Sequence, residues 1–99
     1  MIKMNNRYYQ ILGMDFVRTF GIRSRMMKLV EEMNELSAKI LKLIHDNSTD
    51  MEQVTLEMVD VDFLMTQLKM FIGNEKFTDA REIKCEQWKR ILRERDEGI

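Results

Sequence analysis

Residues 27–44, MKLVEEMNELSAKILKLI, and residues 54–72, VTLEMVDVDFLMTQLKMFI, decide the fold of this 99-residue chain. In each stretch apolar side chains recur at alternating spacings of four and three, the repeat that packs one helix against another. A short run of turn formers, HDNS at residues 45–48, separates the stretches. The sequence therefore predicts an all-α helical bundle around a central antiparallel helix pair. The predicted packing seams are Leu29, Met33, Leu36, Ile40 and Leu43 on one helix and Val54, Met58, Val61, Met65, Leu68 and Ile72 on the other.

The residues before this pair predict one further helix. It covers residues 6–20, with Gly13 as a weak point in its middle and Gly21 at its end. The first helix of the central pair is then predicted to begin near Ser24 and to continue to Ile44.

The second helix of the pair is predicted to begin at a capping box. Thr49 and Glu52 have the spacing at which a hydroxyl and a carboxylate satisfy each other's backbone N–H groups. The helix is expected to stop at Gly73. A fourth helix, amphipathic and heavily charged, is predicted to be capped by Thr78 or Asp79.

The composition agrees with a single all-α domain over residues 1–99. The chain has no proline, four glycines and ten methionines, and its net charge of -1 argues against binding a nucleic-acid polymer by bulk charge. No apolar run is long enough to cross a membrane, and the first residues lack the apolar core of a signal peptide. The single Cys85 provides neither an internal disulfide nor a thiolate set for zinc. A cytoplasmic domain is expected.

Two pairs of acidic residues carry the functional signal, one on each helix of the central pair. Glu32 and Glu35 have the E-x-x-E spacing, and Glu57 and Asp60 have E-x-x-D. At about 100° per residue, both pairs lie at the same offset from their apolar seams, on the inner shoulder of each helix. Carboxylates on facing shoulders repel, and a divalent cation relieves that repulsion. An all-oxygen ligand set favours Mg²⁺ or Mn²⁺ over zinc.

A structural interpretation of the same acids stays open at this point. Lysines stand one helical turn away, Lys28 before Glu32 and Lys39 after Glu35, so each pair could be an ordinary i,i+4 ion pair on a non-catalytic assembly module. Lys69 and Lys76, which follow Glu57 along the chain, are too distant to neutralise it locally, which favours the metal site.

Three segments of the chain resemble a known enzyme family. They are residues 20–22 (FGI), residues 27–36 (MKLVEEMNEL) and residues 56–61 (LEMVDV). Together they resemble the all-α nucleoside triphosphate pyrophosphohydrolases, a superfamily of MazG-like enzymes, dimeric dUTPases and dCTPases, and phosphoribosyl-ATP pyrophosphohydrolase. The family motif is E-x-x-E, a gap of about twenty residues and E-x-x-D. Here residues 36–56, a gap of 21, separate the two halves, and the resemblance covers residues 20–72.

The resemblance implies a site and a reaction. Glu32, Glu35, Glu57 and Asp60 would hold Mg²⁺ against a triphosphate, and Glu31 matches an extra glutamate that accompanies the motif. Glu31 and Glu32 are the implied catalytic residues, with Glu31 orienting or deprotonating a water. That water would attack the α-phosphorus of a nucleotide, releasing pyrophosphate and leaving a nucleoside monophosphate.

The phosphate-binding cations are less well matched. The family often places Lys, Asn and Arg on the helix after E-x-x-D, and Lys84 can take the first place. Trp88 and Ile91 stand where the Asn and the Arg are expected, which puts contacts from this helix in doubt. Lys28 and Arg25, close before Glu32, are the other candidates for substrate binding.

The resemblance also implies a homo-oligomer, because family members are dimers or tetramers. Two apolar seams exceed what one chain of this size covers well, which points the same way. The runner-up activity is phosphoribosyl-ATP pyrophosphohydrolase, which shares the four acids. The alternative outside enzymes is the non-catalytic helical assembly module.

Overall fold

The computed structural model describes residues 5–45 and 50–97, and every element in those residues is an α-helix. The helices are α1 (Asn6–Phe20), α2 (Ile22–His45), α3 (Met51–Ile72) and α4 (Asn74–Glu97). The predicted all-α class is confirmed. Within the described ranges, no helix combines the length and the apolar character that crossing a bilayer requires.

The predicted bounds of α1 are confirmed. The Asn5 side chain caps its beginning by accepting a 2.8 Å hydrogen bond from the backbone N–H of Tyr8. Gly21 ends it with φ of 82°, a left-handed conformation that a residue with a Cβ rarely adopts. A new helix follows Gly21 directly. Helix α2 therefore begins at Ile22, two residues before the predicted start at Ser24.

The predicted starts of the last two helices need correction. The N-cap of α3 is Asp50, whose carboxylate accepts a 2.9 Å bond from the Gln53 N–H; Thr49, the predicted cap, lies outside the described residues. The fourth helix begins at Asn74 and not at residues 78–79. The reason is Gly73, which ends α3 at φ 105° while its carbonyl accepts the Phe77 N–H at 3.2 Å and so starts α4.

The cap at Asp50 gives a first testable prediction. Asp50→Ala removes the acceptor for one N–H of the first turn of α3 and should lower the free energy of unfolding by about 1 kcal/mol. Urea unfolding followed by circular dichroism measures the change. Asp50→Asn keeps an acceptor oxygen and should stay close to the native chain. Equal losses in the two variants would contradict capping by this side chain.

Helices α2 and α3 form the antiparallel pair that the sequence predicts. Arg25, near the start of α2, contacts Gln67, near the end of α3, whereas Lys39, near the end of α2, reaches Glu57, near the start of α3. The contact made later along α2 is therefore made earlier along α3, as it must be in an antiparallel pair. This arrangement brings the two acidic motifs face to face.

Helix α1 packs closely against α3 at Gly13, a position where α1 has no side chain. Gly13 is buried, and a Cβ there would lie 3.1 Å from the Cγ of Gln67 and 3.3 Å from the Cε of Met70. Tyr9 and Phe16 pack edge-on against the ring of Phe63, with centroids 5.2 and 5.3 Å away. Gly13, predicted as a weak point of the helix, lets α1 pack closely against α3.

The docking of α1 changes which face of α3 is buried. The buried residues of α3 are Val54, Glu57, Leu64 and Gln67. On a helical wheel this arc is turned by about 70° from the predicted seam toward the acidic shoulder. The reason is that α1 covers α3 from that side. Part of each predicted seam is left uncovered, and the exposed members are Met33, Ile40, Met58 and Ile72.

Helix α4 projects from the three-helix bundle. Among the described elements it contacts only α3, and none of its residues is buried. The radius of gyration is accordingly 17.1 Å, against about 13 Å for a compact chain of this length. Four large apolar side chains of this helix are exposed; they are Ile83, Trp88, Ile91 and Leu92.

Candidate functional site

Three of the four predicted metal ligands come together between α2 and α3. Glu32 and Glu35 are one turn apart on α2, and the antiparallel packing brings Glu57 of α3 opposite them. One carboxylate oxygen from each of the three residues lies within 4.8 Å of the others. We call Glu32, Glu35 and Glu57 the carboxylate cluster. Two oxygens on opposite sides of one Mg²⁺ ion lie about 4.2 Å apart, so small movements of these side chains would bring the three oxygens around one ion.

Glu57 is the most deeply buried member of the carboxylate cluster. Only 6% of the residue is exposed, and its Oε1 atom has no hydrogen-bond partner. Its other oxygen lies 3.8 Å from the Lys39 Nζ, which is longer than a good charge-assisted hydrogen bond. Because buried polar atoms are nearly always satisfied, this orphaned oxygen marks a place where a ligand or a proton belongs.

The surroundings raise the pKa of Glu57 from 4.5 to about 7. The main cause is close contact with the Glu35 carboxyl, since two carboxyls share a hydrogen bond only when one keeps its proton. Burial raises the pKa further because the charged form loses hydration, and the negative charge of Glu32 acts in the same direction. The Lys39 ammonium opposes these effects without cancelling them.

Two lysines partly neutralise the cluster, in a different way from the predicted ion pairs. Lys28 lies 3.3 Å from Glu32, as the i,i+4 interpretation expects, and also 3.3 Å from Glu31. These two carboxylates raise the pKa of the Lys28 ammonium. Lys39, however, pairs with Glu57 across the helix interface and not with Glu35 on its own helix. A lysine from α2 thus reaches the α3 acid that appeared to lack a neighbour.

Asp60, the fourth predicted ligand, lies outside the carboxylate cluster. It is exposed and lines an adjoining cleft of about 320 Å³ that it shares with Glu32. We call this space the α1–α2–α3 cleft. Acidic, basic and aromatic side chains all line it; they are Phe16, Arg25, Lys28, Glu32, Asp60, Phe63 and Leu64.

The predicted substrate-binding cations separate into two groups. Arg25 and Lys28 both line the α1–α2–α3 cleft beside the carboxylate cluster. Lys84 is on α4, which contacts neither α1 nor α2 among the described elements, and it donates a 2.9 Å hydrogen bond to Gln87 on the same helix. Within one chain, therefore, Lys84 is not brought to the cluster.

The sequence analysis missed Gln67 and gave Lys39 a different partner, Glu35, although the sequence carries a signal for each role. Gln67 follows Asp60 by seven residues, two helical turns along the same face, and it is buried against α1 and α2. Lys39 follows Glu32 by the same interval. A search for polar residues two turns beyond each motif would have found both.

The chemistry of the donor set fits a small divalent cation. The cluster offers carboxylate oxygens, the ligands that Mg²⁺ and Mn²⁺ prefer, and one buried oxygen among them has no other partner. Glu32, Glu35 and Glu57 would hold such an ion. Asp60 would complete the set from the cleft side.

The raised pKa of Glu57 gives a prediction for the metal-free chain. The folded chain holds this proton more tightly than the unfolded chain does, because the pKa is about 7 in one and 4.5 in the other. Its stabilising contribution is therefore full below pH 4.5 and is lost as the pH rises to 7 and beyond. The loss is on the order of 1–3 kcal/mol.

Urea unfolding in EDTA at pH 5 and pH 8, on the native chain and on Glu57→Gln, measures this contribution. The native chain should lose more stability than the variant between the two pH values. Parallel pH profiles would contradict a raised pKa at this position.

Comparisons with protein-family models, with curated proteins and with solved structures found no match to this chain.

Proposed function

We propose that this chain hydrolyses a nucleoside or deoxynucleoside triphosphate to the monophosphate and pyrophosphate, with Mg²⁺ or Mn²⁺ as cofactor. The observation that carries the proposal is the orphaned, buried Oε1 of Glu57 inside a cluster of three carboxylates from two helices. Lys39 reaches only the other oxygen of this carboxylate, at 3.8 Å, so the ion pair leaves Oε1 without a partner. The resemblance of residues 20–22, 27–36 and 56–61 to the pyrophosphohydrolase motifs supports the same function.

The chain's own residues have separate roles in this proposal. Glu32, Glu35, Glu57 and Asp60 would hold the cation, which would lower the pKa of a water and offset charge on the phosphate oxygens. Glu31, exposed beside the cluster, accepts the proton of the attacking water. The water oxygen bonds to the α-phosphorus, the bond to the bridging oxygen of the β-phosphate breaks, and pyrophosphate leaves.

The α1–α2–α3 cleft supplies the remaining substrate contacts. Arg25 and Lys28 line it and would bind phosphate oxygens, while Phe16 and Phe63 provide apolar walls. A substrate that carries both a polyphosphate and a planar aromatic ring matches this combination. The cleft shares Glu32 with the cluster, so phosphates bound there would lie next to the cation.

Pyrophosphate release from the common NTPs and dNTPs, with Mg²⁺ and with EDTA, tests the proposal. We expect release from one or a few nucleotides that EDTA abolishes. No turnover, with a melting temperature that Mg²⁺ still raises, would favour phosphoribosyl-ATP as the substrate. No turnover and no effect of Mg²⁺ would favour the non-catalytic helical assembly module.

We also propose that the chain forms a homo-oligomer, a dimer or a tetramer. The support is the apolar surface that the bundle leaves uncovered, which is larger than single scattered side chains explain. It includes Met27, Val30, Met33, Leu56, Met58 and Val59, all exposed on α2 and α3. Sedimentation equilibrium gives the mass, and a monomer at micromolar concentration would contradict this proposal.

A further inference from the structure

Gln67 is the most completely buried side chain among the described residues, with 1% of the residue exposed. Its Oε1 accepts a 3.0 Å hydrogen bond from the Nε of Arg25, which links α3 to α2. Its Nε2, equally buried, has no partner. A buried amide with one half unsatisfied costs free energy that an apolar side chain of similar volume would not cost. Packing therefore does not explain a glutamine here, whereas its contact with Arg25 does.

Arg25 is held on three sides by groups that leave its charge intact. Besides the bond to Gln67, its guanidinium carbon lies 4.8 Å from the ring centre of Phe16 and 5.6 Å from that of Phe20. A neutral amide and two aromatic faces orient a guanidinium without neutralising it. Within the described part of the chain, no carboxylate lies within ion-pair distance of Arg25, unlike Lys28 and Lys39.

The free N–H groups of Arg25 remain available to a ligand. The bond to Gln67 uses only the Nε–H, so the four N–H groups of the two terminal nitrogens are left. Arg25 also lines the α1–α2–α3 cleft, next to Glu32 of the carboxylate cluster. A planar fork of this kind matches the oxygens of a phosphate group.

We propose that Gln67 is a positioning residue that fixes Arg25 as the polyphosphate-binding cation of the cleft. This inference rests on the proposed function, because it places the phosphates of the substrate beside the carboxylate cluster. The inference gives different roles to the two basic side chains of the cleft, Lys28 and Arg25. Lys28 is already engaged by Glu31 and Glu32, whereas Arg25 is oriented without an ion-pair partner among the described residues.

The test compares anion binding with stability in the full chain. Gln67→Met fills a similar volume and removes both the acceptor and the orphaned donor. We expect its stability in urea to equal or exceed that of the native chain. We expect its affinity for inorganic tripolyphosphate with Mg²⁺, measured by calorimetry, to fall about tenfold. A role confined to stability predicts the opposite pattern, with lower stability and unchanged affinity, and that pattern would overturn the inference.

A double variant shows whether Gln67 acts through Arg25. Arg25→Met should weaken tripolyphosphate binding by about tenfold or more, and adding Gln67→Met to it should weaken binding no further. If the double variant binds tripolyphosphate more weakly than Arg25→Met by the factor that Gln67→Met loses alone, the positioning role is overturned. Arg25→Lys, which keeps the charge but loses the fork, should bind more weakly than the native chain.

The outcomes also separate this inference from the proposed function. If the native chain releases pyrophosphate from a nucleotide and Arg25→Met leaves KM unchanged, the role of Arg25 is wrong and the function stands. If the native chain neither binds tripolyphosphate nor releases pyrophosphate, both are wrong.

Discussion

A Glu57→Gln variant should lose nucleotide hydrolysis while becoming more stable than the native chain in the absence of metal. The two effects have one cause. Glu57 places a carboxylate in a buried position against Glu35 and Glu32, where its charge is unfavourable unless a cation or a proton is present. A glutamine fills the same space without a charge, and its amide can donate a hydrogen bond to the Glu35 carboxylate.

The variant should gain stability and lose activity, and both changes should be large. In EDTA at pH 8, Glu57→Gln should raise the free energy of unfolding by on the order of 1–3 kcal/mol, because the native chain must there ionise a group whose pKa is about 7. The rate of pyrophosphate release should fall by about 10³-fold, which corresponds to about 4 kcal/mol of transition-state stabilisation. Stabilisation by saturating Mg²⁺, about 2.7 kcal/mol at 100 times its Kd for one site, should be lost as well.

Glu82→Gln is the matched control for this experiment. Glu82 is an exposed glutamate on α4, outside the bundle that carries the carboxylate cluster. The same change of charge there should leave activity, the response to Mg²⁺ and stability close to those of the native chain. A Glu57→Gln variant that kept activity and the response to Mg²⁺ would show that Glu57 holds no cation.

The second large effect is expected where α1 meets α3. Gly13→Leu would insert a branched side chain where even a Cβ lies 3.1 Å from the Gln67 Cγ and 3.3 Å from the Met70 Cε. The side chain must displace α1 from α3, since the site is closed by Gln67, which is itself buried. Overpacking of this kind costs about 1–3 kcal/mol, and the loss of α1 packing brings this change to the upper end.

Gly13→Ala is the graded control. Its Cβ meets side-chain atoms, one of them the flexible end of Met70, while alanine in a helix gains about 1 kcal/mol over glycine. The two effects offset each other, so stability should change by less than about 1 kcal/mol. Urea unfolding of both variants measures the difference. A Gly13→Leu variant as stable as Gly13→Ala would show that α1 does not approach α3 closely.

The sequence predicted the elements of the fold well because their signals are local. The end of α1 was predicted from Gly21, which ends the helix in the structure, and its predicted start is where the Asn5 side chain caps the first turn. The start of α4 was predicted wrongly because Gly73 serves both helices, so a cap at Thr78 or Asp79 was not needed.

The site was predicted only in part. The phase of the acidic pairs indicated that Glu32, Glu35 and Glu57 would meet, and the structure brings them within 4.8 Å. Asp60 has the same phase as Glu35, yet it faces the cleft rather than the cluster. A helical wheel gives directions around one helix, and it contains no distance to the next helix.

By itself the sequence determined the helices, their antiparallel pairing and the face that carries the acids, because these depend on periodicity and on local caps. The tertiary structure alone decided which charged groups are partnered between helices. Lys39 pairs with Glu57, and Arg25 donates a hydrogen bond to Gln67, through contacts between residues 18 and 42 positions apart. It also decided which apolar residues are covered, because the docking of α1 at Gly13 turns the buried face of α3. Such contacts depend on how helices are placed in space, which no local pattern specifies.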